Sequence, residues 1–424
     1  MPLLDKVTCP HCWAVFETHS VLWLSTHPSL IGDPRLGRDA QRRFLPTRFT
    51  SDGLAMDEMD SPCHRIACPS CHLEIPRVCT EMESWIVSII GAPAAGKSFY
   101  LGAVARTLRN VLPSHYRVSF TDSDANLNRK INSYEQAMFG NPHSDSLIPL
   151  GELIEKTTEQ GDQYSTVFTG NQRAQYPHPY TFTIRPDPTH PKLKDPVAAS
   201  RVLCLYDNAG ESYLSGSDST LNPVTRHLAQ ASMLLFLFDP TQDHDFRRAY
   251  LEGEGTIPTD SRIALRQQQT IVAEAANRVR LLKNMPSSKK HDKPLFVIVT
   301  KQDLWGHLVP AIAQAAPLHI TGKEGVGYFN ADRVTAISVG IREMMVRLSP
   351  AVVDAAESFA QKVVYVGASS LGMSPTRNAA GEWVIRPRDI KPEGVEVPFL
   401  HGLNSLLPGL FPAGRKAPAT NSRP

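Results

Sequence analysis

The stretch Trp85–Ala105, WIVSIIGAPAAGKSFYLGAVA, constrains this chain more than any other. Ile86 to Ile90 is β-branched and apolar apart from Ser88, the composition of a strand buried on both faces of a parallel sheet. Phe99 to Leu108 lacks proline and holds good helix formers. Between the two, Gly91, Gly96, Lys97 and Ser98 satisfy G-x-x-x-x-G-K-[ST]. With small residues at Ala94, Ala95 and Gly96, the loop can turn its backbone N–H groups onto a polyphosphate, an approach that larger side chains would block. Lys97 then reaches the β- and γ-phosphates and Ser98 offers its hydroxyl to Mg²⁺. The helix that opens at Lys97, with Phe99 in its first turn, aims its positive end at the anion.

Three further apolar strands deliver polar residues downstream. Arg201 to Tyr206 runs into Asp207-Asn208-Ala209-Gly210-Glu211. There Asp207 occupies the place of a carboxylate that holds Mg²⁺ through water, and Gly210 lets its N–H meet a γ-phosphate. Pro294 to Val299 runs into Thr300-Lys301-Gln302-Asp303. In that motif the carboxylate accepts two hydrogen bonds from guanine, a pattern adenine cannot supply, while the lysine stem packs along the base. A wrong base would leave the carboxylate unpaired. Lys362 to Ala368 runs into Ser369-Ser370-Leu371-Gly372, whose N–H groups suit the guanine O6. Another strand, Ser232 to Phe238, leaves the sheet at Asp239-Pro240. The fold class expected is therefore α/β, a mainly parallel sheet with helices on both faces and the nucleotide at the carboxyl ends of the strands. Tyr180 to Ile184 alternates as an edge strand should, a helix is expected over roughly 260–283, and the polar segment 150–173 suits a loop. Within that loop Thr157 or Thr158 is the candidate to complete the Mg²⁺ shell when a γ-phosphate is present.

At 424 residues the chain exceeds the usual allowance of about 150 per domain, and its 34 prolines imply short helices. Net charge is +2 without a long basic run, which gives no electrostatic footprint for nucleic acid. The longest apolar runs fall short of a membrane span and no signal peptide precedes the first cysteines, so a cytoplasmic protein is expected. Residues 413–424 have nothing to pack and are expected to form a disordered tail after the domain at 84–412.

Residues 1–83 carry two C-P-x-C knuckles, with Cys9 and Cys12 in one and Cys68 and Cys71 in the other. Two such turns present four sulfurs to one point, which suits structural Zn²⁺ in a small zinc-ribbon-like module. The 55 residues between them exceed ribbon connections, so Thr18 to Pro62, rich in Arg, Asp and Pro, reads as an insertion or long loop, and Cys63, His64, His72 and Cys79 are spare candidate ligands. Buried reduced thiols and a redox pair are the alternatives, the latter disfavoured by the lack of a βαβ setting. A four-cysteine site leaves no open position for chemistry.

With its P-loop, D-x-x-G, T-K-x-D and S-S-L-G in this order, the stretch 85–372 resembles the Ras-like, translation-factor-related class of P-loop GTPases. The knuckles before the P-loop, the FYLGAV run after it and KPEGVEVPFL near the end resemble the second type of the bacterial double-GTPase family more narrowly. That resemblance implies GTP and GDP with Mg²⁺ as ligands, and a protein partner, a second GTPase, in a conflict or signalling system. Glu211 stands where Ras-like proteins commonly carry a water-positioning glutamine, and its charge opposes a γ-phosphate. The expectation is a switch with slow hydrolysis, on the order of 10⁻³ s⁻¹ or below. Its rival is an interaction scaffold that holds nucleotide without turning it over.

Overall fold

The structure is a computed structural model, and it describes residues 2–154, 164–170, 172–191, 193–207, 226–253, 267–313, 318–320 and 326–411. In chain order the main elements are β1 (Glu83–Gly91), α1 (Lys97–Tyr116), β2 (Val118–Asp122), α2 (Arg129–Phe139), β3 (Tyr180–Pro186) and β4 (Arg201–Asp207). Then follow α3 (Arg226–Gln230), β5 (Met233–Phe238), α4 (His244–Gly253), α5 (Gln268–Leu282), β6 (Leu295–Val299), α6 (Ala331–Leu348), α7 (Pro350–Phe359), β7 (Val363–Gly367) and α8 (Val397–Leu406). The seven strands form one sheet in the order β2-β3-β4-β1-β5-β6-β7. The five from β4 to β7 pair in parallel, while β3 runs antiparallel to both its neighbours.

Alternation along β1 sets the two layers, since successive side chains leave opposite faces. Trp85, Val87 and Ile89 pack with α1, α2 and α8, through Leu101, Ile131 and Phe399 among others. Ile86 and Ile90 face the other way, toward Ile271 and Val279 of α5 and Val353 of α7. The mainly parallel sheet with helices on both faces is thus present as expected. Ser88, the polar interruption in β1, is fully buried and meets His227 Nδ1 at 2.8 Å.

Several local expectations are corrected. The helices are not uniformly short, for α1 spans 20 residues and α6 spans 18. In α1 the row Tyr100, Val104, Leu108, Leu112 and Tyr116 repeats every fourth residue and is buried throughout, and this packing carries the helix past Pro113. Tyr116 closes α1, and the next strand opens at Val118. β3 is no edge strand, because β2 pairs along its outer side. Within the segment expected to be a loop, Tyr164–Thr169 and Gln172–Pro177 pair as an antiparallel hairpin. The insertion between the knuckles is not one long loop either. It contributes short strands, including Leu22–Leu24 beside Ile66–Ala67 and the hairpin Ile31–Asp33 with Gly37–Gln41. The whole cysteine module shares the core of the α5 face, where Val7, Trp13, Val21 and Met82 join Tyr206 and Leu234. The tail at 413–424 lies outside the described residues.

Two buried histidines give the fold a pH dependence. Burial pushes His291 and His401 down to about 4 from an ordinary 6.5. Between those values the unfolded chain binds protons that the folded chain refuses, so their contribution to stability is whole above pH 6.5 and drains as pH falls toward 4. Thermal melts should therefore drop steadily from pH 7 to 4.5, and His401→Gln should shallow that slope. An unchanged slope in the variant would contradict this account.

Candidate functional site

β1 releases its loop where packing forces it to. A β-carbon on Gly91 would stand 3.1 Å from the Leu237 carbonyl oxygen of the neighbouring strand, and Gly96 sits at φ 82, open to left-handed backbone without strain. Ala94 is also left-handed, at φ 60. Left-handed residues two apart within such a loop curl the intervening N–H groups toward one point, the arrangement that cradles anions. The Lys97 Nζ lies over this loop and donates to the carbonyls of Gly91 and Ala92 at 3.2 and 3.0 Å. Ser98 follows it in the first turn of α1.

Asp207 ends β4 opposite Ile89, two residues before the loop begins. Its Oδ1 is buried without a hydrogen-bond partner among the described residues. Burial pushes its carboxyl up from 3.8, and the Lys97 charge pulls against that shift. A desolvated carboxylate oxygen with nothing opposite it is costly unless a cation or its water shell supplies the partner. The residues Ser98 and Asp207 therefore fit Mg²⁺. Gly210, Glu211, Thr157 and Thr158 lie outside the described residues.

The far end of the candidate site is built by two strand ends locked together. Lys301, left-handed at φ 56, donates its Nζ to Asp239 Oδ2 at 2.9 Å and Thr241 Oγ1 at 2.6 Å. Asp239 is fully buried and also accepts from Thr241 and from Gln242 Nε2, so its charge is paired and solvated by protein. The exposed Asp303 accepts from Ser369 Oγ at 2.6 Å and Ser374 Oγ at 2.8 Å, which ties T-K-x-D to S-S-L-G and leaves one lone pair on each oxygen. Thr300 is held by its own hydroxyl on the Phe238 carbonyl at 3.1 Å.

One cavity of about 250 Å³ joins the two ends. Ala94, Ala95, Gly96 and Phe99 line it from the loop, and Thr300, Lys301, Asp303, Ser369, Ser370 and Leu371 from the far strands. The sequence reading missed several of its walls, among them Thr241, Ser374 and Trp383. Trp383 stands on a small sheet in which Trp383–Ile385 pairs with Ile148–Pro149 and with Thr376–Arg377, and the Arg377 guanidinium covers its ring at 4.6 Å. The signal for Asp239 was present, a charge at the carboxyl end of an apolar strand. The signal for Trp383 was weaker, a strand-like W-V-I after the Asn378–Gly381 turn.

In the cysteine module the two knuckles fold alike. Trp13 N donates to the Cys9 carbonyl at 3.0 Å and His72 N to that of Cys68 at 2.9 Å, with Trp13 and His72 both left-handed. N–H groups of His11 and Ser70 point at the sulfurs of Cys9 and Cys68, each at 3.3 Å. The Sγ atoms of Cys9, Cys12, Cys68 and Cys71 all lie within 4.8 Å of one another. Burial pushes the Cys9 thiol up, so ionising it requires a cation at the centre. Four soft donors on two rigid turns fit Zn²⁺. The spare residues stay out of the cluster: His72 Nδ1 pairs with the buried Asp33 at 2.8 Å, and Cys63 and Cys79 are buried elsewhere.

Purified protein should therefore carry one equivalent of zinc by elemental analysis, and replacement by Co²⁺ should give the absorption of a tetrahedral thiolate site. Cys68→Ser should lose that signal and destabilise the fold by several kcal/mol. Full metal binding in this variant would count against a four-cysteine site.

No protein-family profile matches the sequence, and no curated protein does. Among solved structures, Sup35 complexed with GDP is 12% identical, with 71% of this chain and 41% of that one covered at a TM-score of 0.21. Sup35 with GMPPNP is 14% identical, covering 68% and 38% at 0.20. Era in complex with MgGDPNP and nucleotides 1506–1542 of 16S ribosomal RNA is 13% identical, covering 79% and 59% at 0.21. The chain thus spans about two fifths of the length of the Sup35 chains. At TM-scores this low the likeness says nothing of what this chain binds. No helix among the described residues is long and apolar enough to cross a membrane.

Proposed function

We propose that the protein binds GTP and GDP with Mg²⁺, hydrolyses GTP slowly and acts as a switch for a protein partner. The observation that carries this reading is the single cavity lined at once by Ala94, Ala95, Gly96 and Phe99 of the P-loop and by Asp303 with Ser369–Leu371. A phosphate cradle and a carboxylate that reads guanine are useful together only if one ligand spans them. In this reading the loop N–H groups and Lys97 hold the phosphates, and Ser98 and Asp207 hold Mg²⁺. Asp303 accepts the guanine N1–H and N2–H₂ while the Lys301 stem, fixed at its tip by Asp239 and Thr241, covers the base. Slow turnover rests on Glu211, whose charge repels the γ-phosphate and orients no water as a neutral amide would. The partner, a second GTPase, rests on the family resemblance of the knuckles and the KPEGVEVPFL stretch.

Equilibrium binding of GTP, GDP and ATP with and without Mg²⁺, with released phosphate followed in the same samples, tests the whole. Guanine-selective, Mg²⁺-enhanced binding with turnover near 10⁻³ s⁻¹ is expected. Lys97→Ala should abolish nucleotide binding. Asp303→Asn should cut the preference for guanine over adenine by at least a hundredfold while leaving phosphate contacts intact, since discrimination of about 10⁴ rests on hydrogen bonds of this kind. ATP preference, or full affinity in the Lys97 variant, would defeat the reading; binding without release would favour the scaffold.

Trp383 supplies an internal reporter. Trp13 and Trp85 are buried and do not line the cavity, Trp23 lies in the cysteine module, Trp305 is buried behind the wall with its Nε1 on the Thr300 carbonyl at 2.8 Å, and Trp383 is the half-exposed indole on the wall itself. Titration with GDP should change tryptophan emission, and most of the change should be lost in Trp383→Phe while GDP affinity falls less than in Trp383→Ala.

A further inference from the structure

The first cysteine knuckle reaches the nucleotide site through three rings. Trp13, left-handed directly after Cys12, donates its Nε1 to the Tyr206 hydroxyl at 3.1 Å. That hydroxyl in turn donates to the Pro10 carbonyl inside the same knuckle. Both sides of the hydroxyl are thus engaged by one turn, and Tyr206 is fully buried. The His227 ring stacks on Tyr206, with centroids 5.0 Å apart and planes 7° from parallel, lies 6.3 Å from the Trp13 ring as well, and anchors to Ser88 of β1. Tyr206 is the residue before Asp207. Along a strand their side chains leave opposite faces, so the phenol is clamped by the knuckle while the carboxylate faces Lys97. The hairpin that follows residue 163 rests on the same module, through Tyr176 against Trp13, His178 against His11 and the Phe168 N–H on the Arg35 carbonyl at 2.8 Å.

We propose that the four-cysteine cluster positions Asp207: a metal that fixes the Cys9–Cys12 turn fixes Pro10 and Trp13, these fix Tyr206, and Tyr206 sets where the Asp207 carboxylate stands. This rests on the nucleotide reading of the preceding subsection. Trp13 and Tyr206 are positioning residues, since neither lines the nucleotide cavity. A carboxylate that holds Mg²⁺ through water tolerates little displacement, because the water must also meet Ser98 and the phosphates. Zinc at the cluster and Mg²⁺·GTP at the loop then favour the same placement of Tyr206, and coupling of this kind is reciprocal: each ligand raises the affinity of the other by the same factor.

The test uses the full zinc-loaded chain. The factor by which Mg²⁺ tightens GTP binding is measured before and after removal of zinc with a zinc-selective chelator, and zinc affinity is measured by competition with and without Mg²⁺·GTP. Removal should lower the Mg²⁺ factor about tenfold, within the usual range of coupling, and leave Mg²⁺-free GTP affinity within about twofold. Mg²⁺·GTP should raise zinc affinity by the same factor. Tyr206→Phe keeps the ring and loses both hydrogen bonds, and in zinc-loaded protein it should lower the Mg²⁺ factor alone. Trp13→Phe should do the same, and these two variants decide the matter if the zinc-free chain unfolds. An unchanged Mg²⁺ factor in both variants, or equal zinc affinity with and without Mg²⁺·GTP, would overturn the proposal. If zinc-loaded wild-type protein bound no guanine nucleotide, the proposed function would fail instead, and that outcome is read before any variant is made.

Discussion

β1 is hydrogen-bonded in parallel to β4 on one side and to β5 on the other, with apolar layers above and below, and this arrangement decides where polar chemistry can occur. A parallel strand buried on both faces has no room for a charge until it leaves the sheet. Neighbouring parallel strands leave on the same edge. Gly91, Asp207, Asp239, Thr300 and Ser369 are therefore gathered at one rim, although more than 270 positions separate the first from the last.

At that rim the protein treats its charges differently, and the difference separates scaffold from site. Asp239 is sunk completely and surrounded by donors, with Lys301 as counter-ion, so it joins β5 to β6 and holds the lysine stem against the cavity. Asp303 is exposed and takes two serine hydroxyls that orient it. Asp207 keeps an oxygen buried and unpartnered among the described residues, with Lys97 as the nearby positive charge. A buried lone oxygen stores unfavourable desolvation energy that a cation can relieve, whereas a satisfied one does not.

The cysteine module takes part in this arrangement because it covers sheet surface. Its Val7, Trp13 and Val21 lie in the same apolar cluster as Tyr206 and Leu234, on the face that α5 and α7 leave open toward β4. A module of about eighty residues with strands of two to five residues buries little by itself. The shared core with the sheet gives it a defined shape, which a metal at its four sulfurs would reinforce, and the Tyr206 hydroxyl joins it to the strand end beside the P-loop.

The sequence by itself determined the buried strands of the sheet and named candidate site residues wherever chemistry demands a residue type at a fixed spacing. The P-loop, the carboxylates after apolar strands and the paired knuckles are local patterns, and local patterns are legible. Ser88 and the 20-residue α1 were less so, because a buried histidine 139 positions away satisfies the one, and packing along every fourth residue carries the other past Pro113. Only the tertiary structure decided that β2 covers the outer side of β3, that the segment before β3 is a hairpin on the cysteine module, and that Trp383 and Thr241 wall the cavity. These depend on which surfaces meet across long separations. A contact between Pro10 and Tyr206 leaves no trace in the spacing of either, since its energy comes from excluding water at a boundary that exists only once both segments are folded.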